Sequence, residues 1–381
     1  MSTYDVIVLG TGGVGSAAAF HLAQRGAKVL GLDRFSGGHD LGSSHGQTRI
    51  IRKAYFEQPN YVPLLHRAYE LWADLEQRTA EKLYHEVGLI EIGPPDGIVV
   101  SGVLASARQH KLCVDELTEH DVAERFSGFA IPESCVAVFE QNAGYLLVER
   151  CVLAHLAEAV KHGAELRSGE TILDWQANDR GVTVRTDRNT YSAGKLVITA
   201  GAWATDLLAS LGIKLRVLRK HLHWYESDDS CYREDNGCPA FFYDVPGGHF
   251  YGFPQIDQRG LKVADHTGGT EISDPLADDR SREPADVQRV EQFLTEYLPG
   301  VSRTAYQHAV CYYTMSPDAQ FIIDHHPDHS NVVFAAGLSG HGFKFTNVLG
   351  EVLTDLAIDG AAKLPIEFLS CQRVGLLGNR L

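Results

Sequence analysis

Residues 10–15 of this 381-residue chain read GTGGVG and put Gly10, Gly12 and Gly15 in G-x-G-x-x-G spacing. In that spacing the first glycine permits a tight turn, the second lets backbone approach a pyrophosphate, and the third lets a helix pack close to a strand. The helix that follows offers free N–H groups and the positive end of its dipole to phosphates. Asp33 closes the next apolar run, where a carboxylate can accept bonds from a ribose diol. The chemistry these residues suit is dinucleotide binding. The motif does not separate FAD from NAD, although its place at the extreme N-terminus leans towards FAD.

Four further places carry reactive side chains. SSHGQTRIIRKAY (43–55) holds His45, Arg49 and Arg52. Arginine suits bidentate recognition of a carboxylate or phosphate, and a solvated basic segment accounts for the same spacing. Lys262 sits in the apolar run GLKVA. Alternation points it to solvent, whereas a buried lysine near a cofactor would supply a fixed charge or a perturbed pKa. His266 falls four residues on, on the same strand face. GLSGHGFKF (337–345) sets Gly337, Gly340 and Gly342 in a turn before a helix expected from about Phe343, with Lys344 in its first turn. There the lysine opposes the helix dipole and needs an anionic partner; an exposed lysine on a plain cap is the alternative. Cys311, in HAVCYYT, has no base motif beside it and reads on its own as a small core residue.

Periodicity shows the elements that must hold these residues. YDVIVLG is a continuous apolar run, as in a parallel strand buried on both faces. A helix with small early residues follows and stops near Gly26, then a second strand, KVLGLD. Apolar spacing predicts helices over 60–83, 99–112 and 151–166, and strands over 88–93, 181–187 and 189–203. HFYGFPQ and GLKVADHT alternate as antiparallel strands, and 331–360 runs strand, glycine-rich turn, long helix. Nucleotide-type units open and close the chain, with antiparallel material between. The expected organisation is a discontinuous cofactor domain (1–83, 150–215 and 311–381) around a substrate domain (84–149 and 216–310).

A net charge of −15 argues against nucleic acid as a partner, because phosphate binding needs a basic face. The seven cysteines form no C-x-x-C pair and have no matching histidines, so neither zinc nor another metal is expected. A chain this long does not need a disulfide framework, and a reducing, cytoplasmic compartment is expected. No apolar run approaches the ~18 residues of a membrane span. The N-terminus lacks the pattern of a signal peptide, and the closing GNRL is only a loose match to a peroxisomal tripeptide.

GTGGVGSAAAFHLA, GSSHGQTRIIRKAY, YVPLLHRAYELWADLE, YGFP, GLKVADHT, CYYTMSPDAQFIID and NVVFAAGLSGHGFKF keep that order along almost the whole chain. Together they resemble the monomeric sarcosine oxidase family of flavoenzymes, a group that includes N-methyltryptophan oxidase and pipecolate oxidase. The resemblance implies an α/β fold: a Rossmann-like FAD-binding domain of the glutathione-reductase/D-amino-acid-oxidase type with a second, antiparallel-sheet substrate domain. It implies a monomeric oxidase of secondary amino acids, which turns the C–N bond into an imine that water hydrolyses while O2 is reduced to H2O2. The family's FAD is attached through a cysteine thioether, and the matching residue in VCYYTMSPD is Cys311. Arg52 and Lys344 match the pair that holds the substrate carboxylate. Lys262 matches the lysine over the flavin that promotes reaction with oxygen. His45, Arg49, Tyr251, His266 and Tyr313 match residues lining flavin or substrate. Arg34, Ser43, Ile172, Gly340, Gly342 and Lys344 are expected to join Gly10, Gly12, Gly15 and Asp33 around the cofactor.

Three departures bear on the substrate. Ser44-His45 stands where the family often has two histidines, and Phe242 where sarcosine oxidase has methionine. HTGG (266–269) lacks an aromatic found after the threonine in sarcosine oxidase. A pocket enlarged there, and partly refilled by Phe242 and Tyr243, would suit a bulkier N-methyl or cyclic amino acid such as N-methyltryptophan or pipecolate. A flavin dehydrogenase with an acceptor other than O2 is the enzymatic alternative.

Overall fold

The computed structural model describes residues 3–374 and 376, so the closing GNRL lies outside the described residues. The N-terminal apolar run forms the strand Thr3–Leu9, in parallel with Val29–Asp33 on one side and Thr190–Ile198 on the other. Glu165–Ser168 and His329–Ala336 extend this parallel set at its two flanks. Both faces of the central strand are covered, and its side chains divide accordingly. Val6 and Val8 pack under the helices Gly13–Gln24, Val62–Thr79, Val148–Lys161 and Thr346–Asp359. Ile7 and Leu9 pack on the other side with Val182, Val184 and Tyr191. Small residues set how closely the helices approach. A Cβ at Gly350 would stand 2.6 Å from Ala17, so the first and last of these helices cross almost backbone to backbone.

Among the described residues a second sheet has nine strands. Its central run is Arg216–Ser227, Leu261–Asp265, Gly248–Phe253, Ala240–Val245, Leu89–Gly93 and Val136–Glu140, antiparallel except where Leu89–Gly93 meets Ala240–Val245. The 15-residue strand Val301–Met315 pairs with Arg216–Ser227 over most of its length. Residue 311, expected to open the last cofactor segment, therefore lies inside a strand of this second sheet.

The helix Pro284–Tyr297 covers one face of the sheet through Val290, Phe293 and Leu294. The other face, with Phe242, Tyr251, Cys311 and Tyr313, turns inward. Covered on both sides, Leu261–Asp265 and Leu89–Gly93 are buried at every position. The solvent-facing reading of Lys262 fails for this reason: alternation predicts exposure only where one face meets water. A small sheet of Thr48–Ile51, Tyr84–His85 and Gly144–Leu147 completes the strands used below. The helix expected near Phe343 begins with a 3-10 turn, Phe343–Phe345, and becomes α-helical at Thr346. All seven cysteines are free thiols.

Candidate active site

A cavity of about 880 Å³ runs between the two sheets. Its first end is built on the glycine turn. Gly10 has φ 82, and a Cβ there would stand 2.6 Å from the Thr199 carbonyl oxygen. Gly12 meets only Ser44 Oγ, at 3.9 Å, and its backbone opens onto the cavity. Gly15 does not line the cavity. A Cβ there would overlap the Gly10 carbonyl oxygen, so its part is to seat the helix on the strand. Asp33 lines the cavity, with Thr11 N donating to its Oδ2 at 2.6 Å and Phe35 N to its Oδ1 at 2.9 Å. A carboxylate has about four acceptor positions, so capacity for a ligand hydroxyl remains. Arg34, Ser43 and Ile172 line the same end, and Ser43 Oγ donates to Tyr312 O at 2.6 Å.

The second end gathers the charged side chains. Arg49 leaves the strand Thr48–Ile51 half-buried, donating to Thr48 O at 2.9 Å and Ser43 O at 3.0 Å. Arg52, just beyond that strand, is buried, with its guanidinium 4.3 Å from the Phe56 ring and 4.9 Å from that of Tyr55. Its Nη2 donates to Glu57 Oε2 at 2.7 Å. The reading of 43–55 as a solvated basic segment is thereby replaced: both arginines line the cavity. Lys344 reaches the same place from the 3-10 turn, and its Nζ donates to His341 O at 2.8 Å. Among the described residues it has no direct ion pair, so the anionic partner expected of it is absent at contact distance; Glu57 and Glu91 act on it from farther away. Burial, reinforced by the charge of Arg52, brings the Lys344 amine down to about 7. Burial alone would raise Glu57, yet Arg52, His341 and Lys344 hold it at about 2.

Tyr251, His266 and Tyr313 complete this end: Tyr251 and His266 come from adjacent strands of the second sheet, His266 just past the end of its own, and Tyr313 from Val301–Met315 on the far side of Arg216–Ser227. His266 Nδ1 and Tyr313 Oη are 3.2 Å apart. Burial, with Lys220 nearby, lowers His266 to about 3 and leaves it neutral. Burial raises Tyr251 to about 12 and holds Tyr313 well above its ordinary value, so both keep their protons. Gly340 and Gly342 close the wall. Gly340 has φ 83, and a Cβ there would overlap the Tyr313 ring.

Lys262, His45 and Cys311 stand one layer behind the lining. Lys262 is 1% exposed, and its Nζ donates to Gly46 O at 2.6 Å and Thr48 O at 2.7 Å. Burial and then Arg49 push its pKa well below that of a free lysine. His45 is lowered to about 3 by burial and by Arg49, and its Nε2 has no hydrogen-bond partner. Cys311 packs with Tyr313 in the inward cluster, opposite Lys220 in register. Its sulfur lies within electrostatic reach of Arg49, Tyr251, Lys262 and Tyr313.

A glycine turn at one end of this cavity and the Arg52–Lys344 pair at the other give it a shape and charge suited to a dinucleotide and an anion. The family model of FAD dependent oxidoreductases (DAO) matches residues 5–356. The chain belongs to the family of FAD dependent oxidoreductases. It is 41% identical to a monomeric sarcosine oxidase of Bacillus sp. (strain B-0618), covering 99% of this chain and 98% of that one. It is 38% identical to an N-methyl-L-tryptophan oxidase of Yersinia pestis (strain Pestoides F), over 97% and 99% of the two chains. Among solved structures it is similar to NikD, an unusual amino acid oxidase essential for nikkomycin biosynthesis, with a TM-score of 0.87, 27% identity and 100% coverage of both chains.

This flavin-dependent oxidoreductase has the features FAD requires. Gly12 leaves backbone open to a pyrophosphate, Asp33 lines the cavity with acceptor capacity that suits a ribose diol, and Trp203 Nε1 and Thr346 Oγ1, both in cavity-lining residues, are buried without protein partners. Among the described residues no cluster of His, Cys, Asp or Glu is placed to hold a metal ion, and no helix is long and apolar enough to cross a membrane.

Some of the site escaped sequence reasoning. Glu57 had no signal beyond standing five residues after Arg52. Glu91 had one: a carboxylate inside the apolar run LIEIG. The glycines of HTGG do not line the cavity; the carbonyls of Thr267 and Gly268 instead accept from Lys220 Nζ, at 2.7 and 3.2 Å. The wall at this end comes from Phe242.

Proposed function

We propose that this oxidoreductase acts on a small secondary amino acid of the sarcosine type, converting its C–N bond to an imine that water hydrolyses, with O2 reduced to H2O2. The observation that carries the reading is the Arg52–Lys344 pair, two buried cations at the far end of a cavity whose near end suits a dinucleotide. FAD held at the near end by the glycine turn and Asp33 would supply the two-electron acceptor that passes electrons from the amine to oxygen. Arg52 and Lys344 Nζ hold the substrate carboxylate and thereby aim the α-carbon; positioning of this kind can supply ~7 kcal/mol or more of a barrier reduction. A bound carboxylate also favours the charged form of Lys344, whose amine is otherwise poised at about 7. His266 stays neutral and adds no charge to repel an ammonium. Lys262 Nζ, a basic group held by two carbonyl oxygens, is the charge we assign to the oxygen step. We also assign Cys311 as the covalent attachment point of FAD, and read the enzyme as a cytoplasmic monomer.

Phe242 supports a small substrate, because its ring lies 5.3 Å from Phe56 and 5.9 Å from His266, over the same floor as Arg52. The test is a panel of sarcosine, N-methylalanine, N-methyltryptophan and pipecolate, with peroxide measured. Fastest turnover on the first two is expected. Bleaching of the flavin by none of the four would overturn the reading.

A further inference from the structure

Glu91 is 1% exposed, on the inward-facing side of the second sheet. The register shows what it belongs to. Ala264 lies opposite Tyr251, Tyr251 opposite Phe242, and Phe242 opposite Glu91. Residues directly opposite in a sheet share a face, so Glu91 continues, one strand further, the row in which Tyr251 and Phe242 line the cavity. Arg52 lies above it. Its Nε is 3.7 Å from Glu91 Oε1, and that Nε and both Glu91 oxygens are buried without a hydrogen-bond partner. A buried carboxyl with two empty oxygens beside an empty guanidinium N–H is costly unless it has a use.

We propose that Glu91 is a positioning residue of the carboxylate clamp, facing the Nε edge of Arg52 from the sheet and setting, by its own protonation, how strongly that guanidinium attracts a substrate carboxylate. The inference rests on the reading above only in taking the Arg52 end of the cavity as the carboxylate subsite. With Glu91 protonated, Arg52 offers its full charge to the ligand. With Glu91 ionised, two protein carboxylates, Glu57 and Glu91, compete with the ligand for one guanidinium. The charged groups around Glu91 are Arg52 and Glu57 from the loop after Thr48–Ile51, Glu140 from the neighbouring strand, and Lys344 from the 3-10 turn. Burial outweighs Arg52 and brings Glu91 to about 8, so the switch falls just above neutral pH. Lys344 loses charge in an adjoining range with or without Glu91, only at a somewhat higher pH when Glu91 is ionised. The signature is therefore a difference between two pH profiles.

The experiment titrates the flavin-loaded enzyme with acetate, a carboxylate without an amine, from pH 6 to 9.5 and follows flavin absorbance. Glu91→Gln keeps the shape and removes the titration. The ratio of wild-type to variant Kd is expected to stay near one at pH 6 and to climb to about tenfold at pH 9.5. In turnover with the secondary amine the same change appears in KM rather than kcat. Should Glu91→Gln not fold, Glu91→Val, suited to a buried strand, must lose the same inflection. Parallel wild-type and variant profiles overturn the proposal, since a purely structural carboxyl would lower stability without bending the ratio. If Arg52→Lys binds acetate as the wild type does, the carboxylate-clamp reading itself fails, and the Glu91 proposal with it.

Discussion

Lys262 and Glu91 are each a charged residue in a run of apolar ones, and alternation alone places both in solvent. Both are buried, because helix and cavity cover opposite faces of their sheet. The residue types were legible; the second cover was not, since it is supplied by segments distant in sequence. The enclosure of Lys262 Nζ by Gly46 O and Thr48 O fixes a basic group whose removal leaves those carbonyls unpaired. Lys262→Met should slow reoxidation of the reduced flavin by oxygen by about 10²-fold or more, the scale of losing one aimed electrostatic group, and spare anaerobic flavin reduction. Stopped-flow measurement of the two half-reactions checks this. Unchanged reoxidation would remove Lys262 from the oxygen step, and a slow reaction in the wild type itself would point to an acceptor other than O2.

Elements were more legible than the joints between them. The strand–turn–helix–strand of the first 33 residues was visible because each part follows from local rules: an apolar run, three glycines at fixed offsets, small residues on the helix. The turn at 337–342 was visible for the same reason. The strand Val301–Met315 was not, because its membership depends on pairing with residues some ninety positions earlier. That pairing decides what Cys311 can do. It sets Cys311 and Tyr313 on one face, towards Arg49 and Tyr251, and Tyr312 on the other. Cys311→Ala should therefore leave bound flavin extractable by acid precipitation, whereas wild-type flavin stays with the pellet. Flavin retained by the variant would place the attachment elsewhere.

Across the whole molecule, buried histidines dominate the response to acid. His21 and His155 in the helical layer are lowered to about 4 and about 3 by burial, as His45, His266 and His341 are to about 3, 3 and 4 around the cavity. Below pH 6.5 the unfolded chain protonates these groups and the folded chain does not. The unfolded state then binds more protons, and stability falls as pH falls from about 6.5 towards 4. Glu91 works in the opposite sense: raised to about 8 in the fold, it favours the folded state at low pH and loses that contribution as pH rises through 8. A melting temperature that peaks near neutrality and drops on both sides is expected from circular dichroism; no change between pH 7 and 5 would mean these histidines are charged in the fold. The inward turn of Arg49, Arg52, Lys262 and Lys344 has a separate effect. With a net charge of −15 and these cations turned inward, the field outside is acidic while the far end of the cavity is basic. A zwitterion carries no net charge and crosses that field freely, whereas a bare anion is repelled over a Debye length of about 8 Å. Added salt should quicken the association of acetate and leave that of sarcosine level. The acidic skin thus sorts solutes by net charge before any of them meets the clamp.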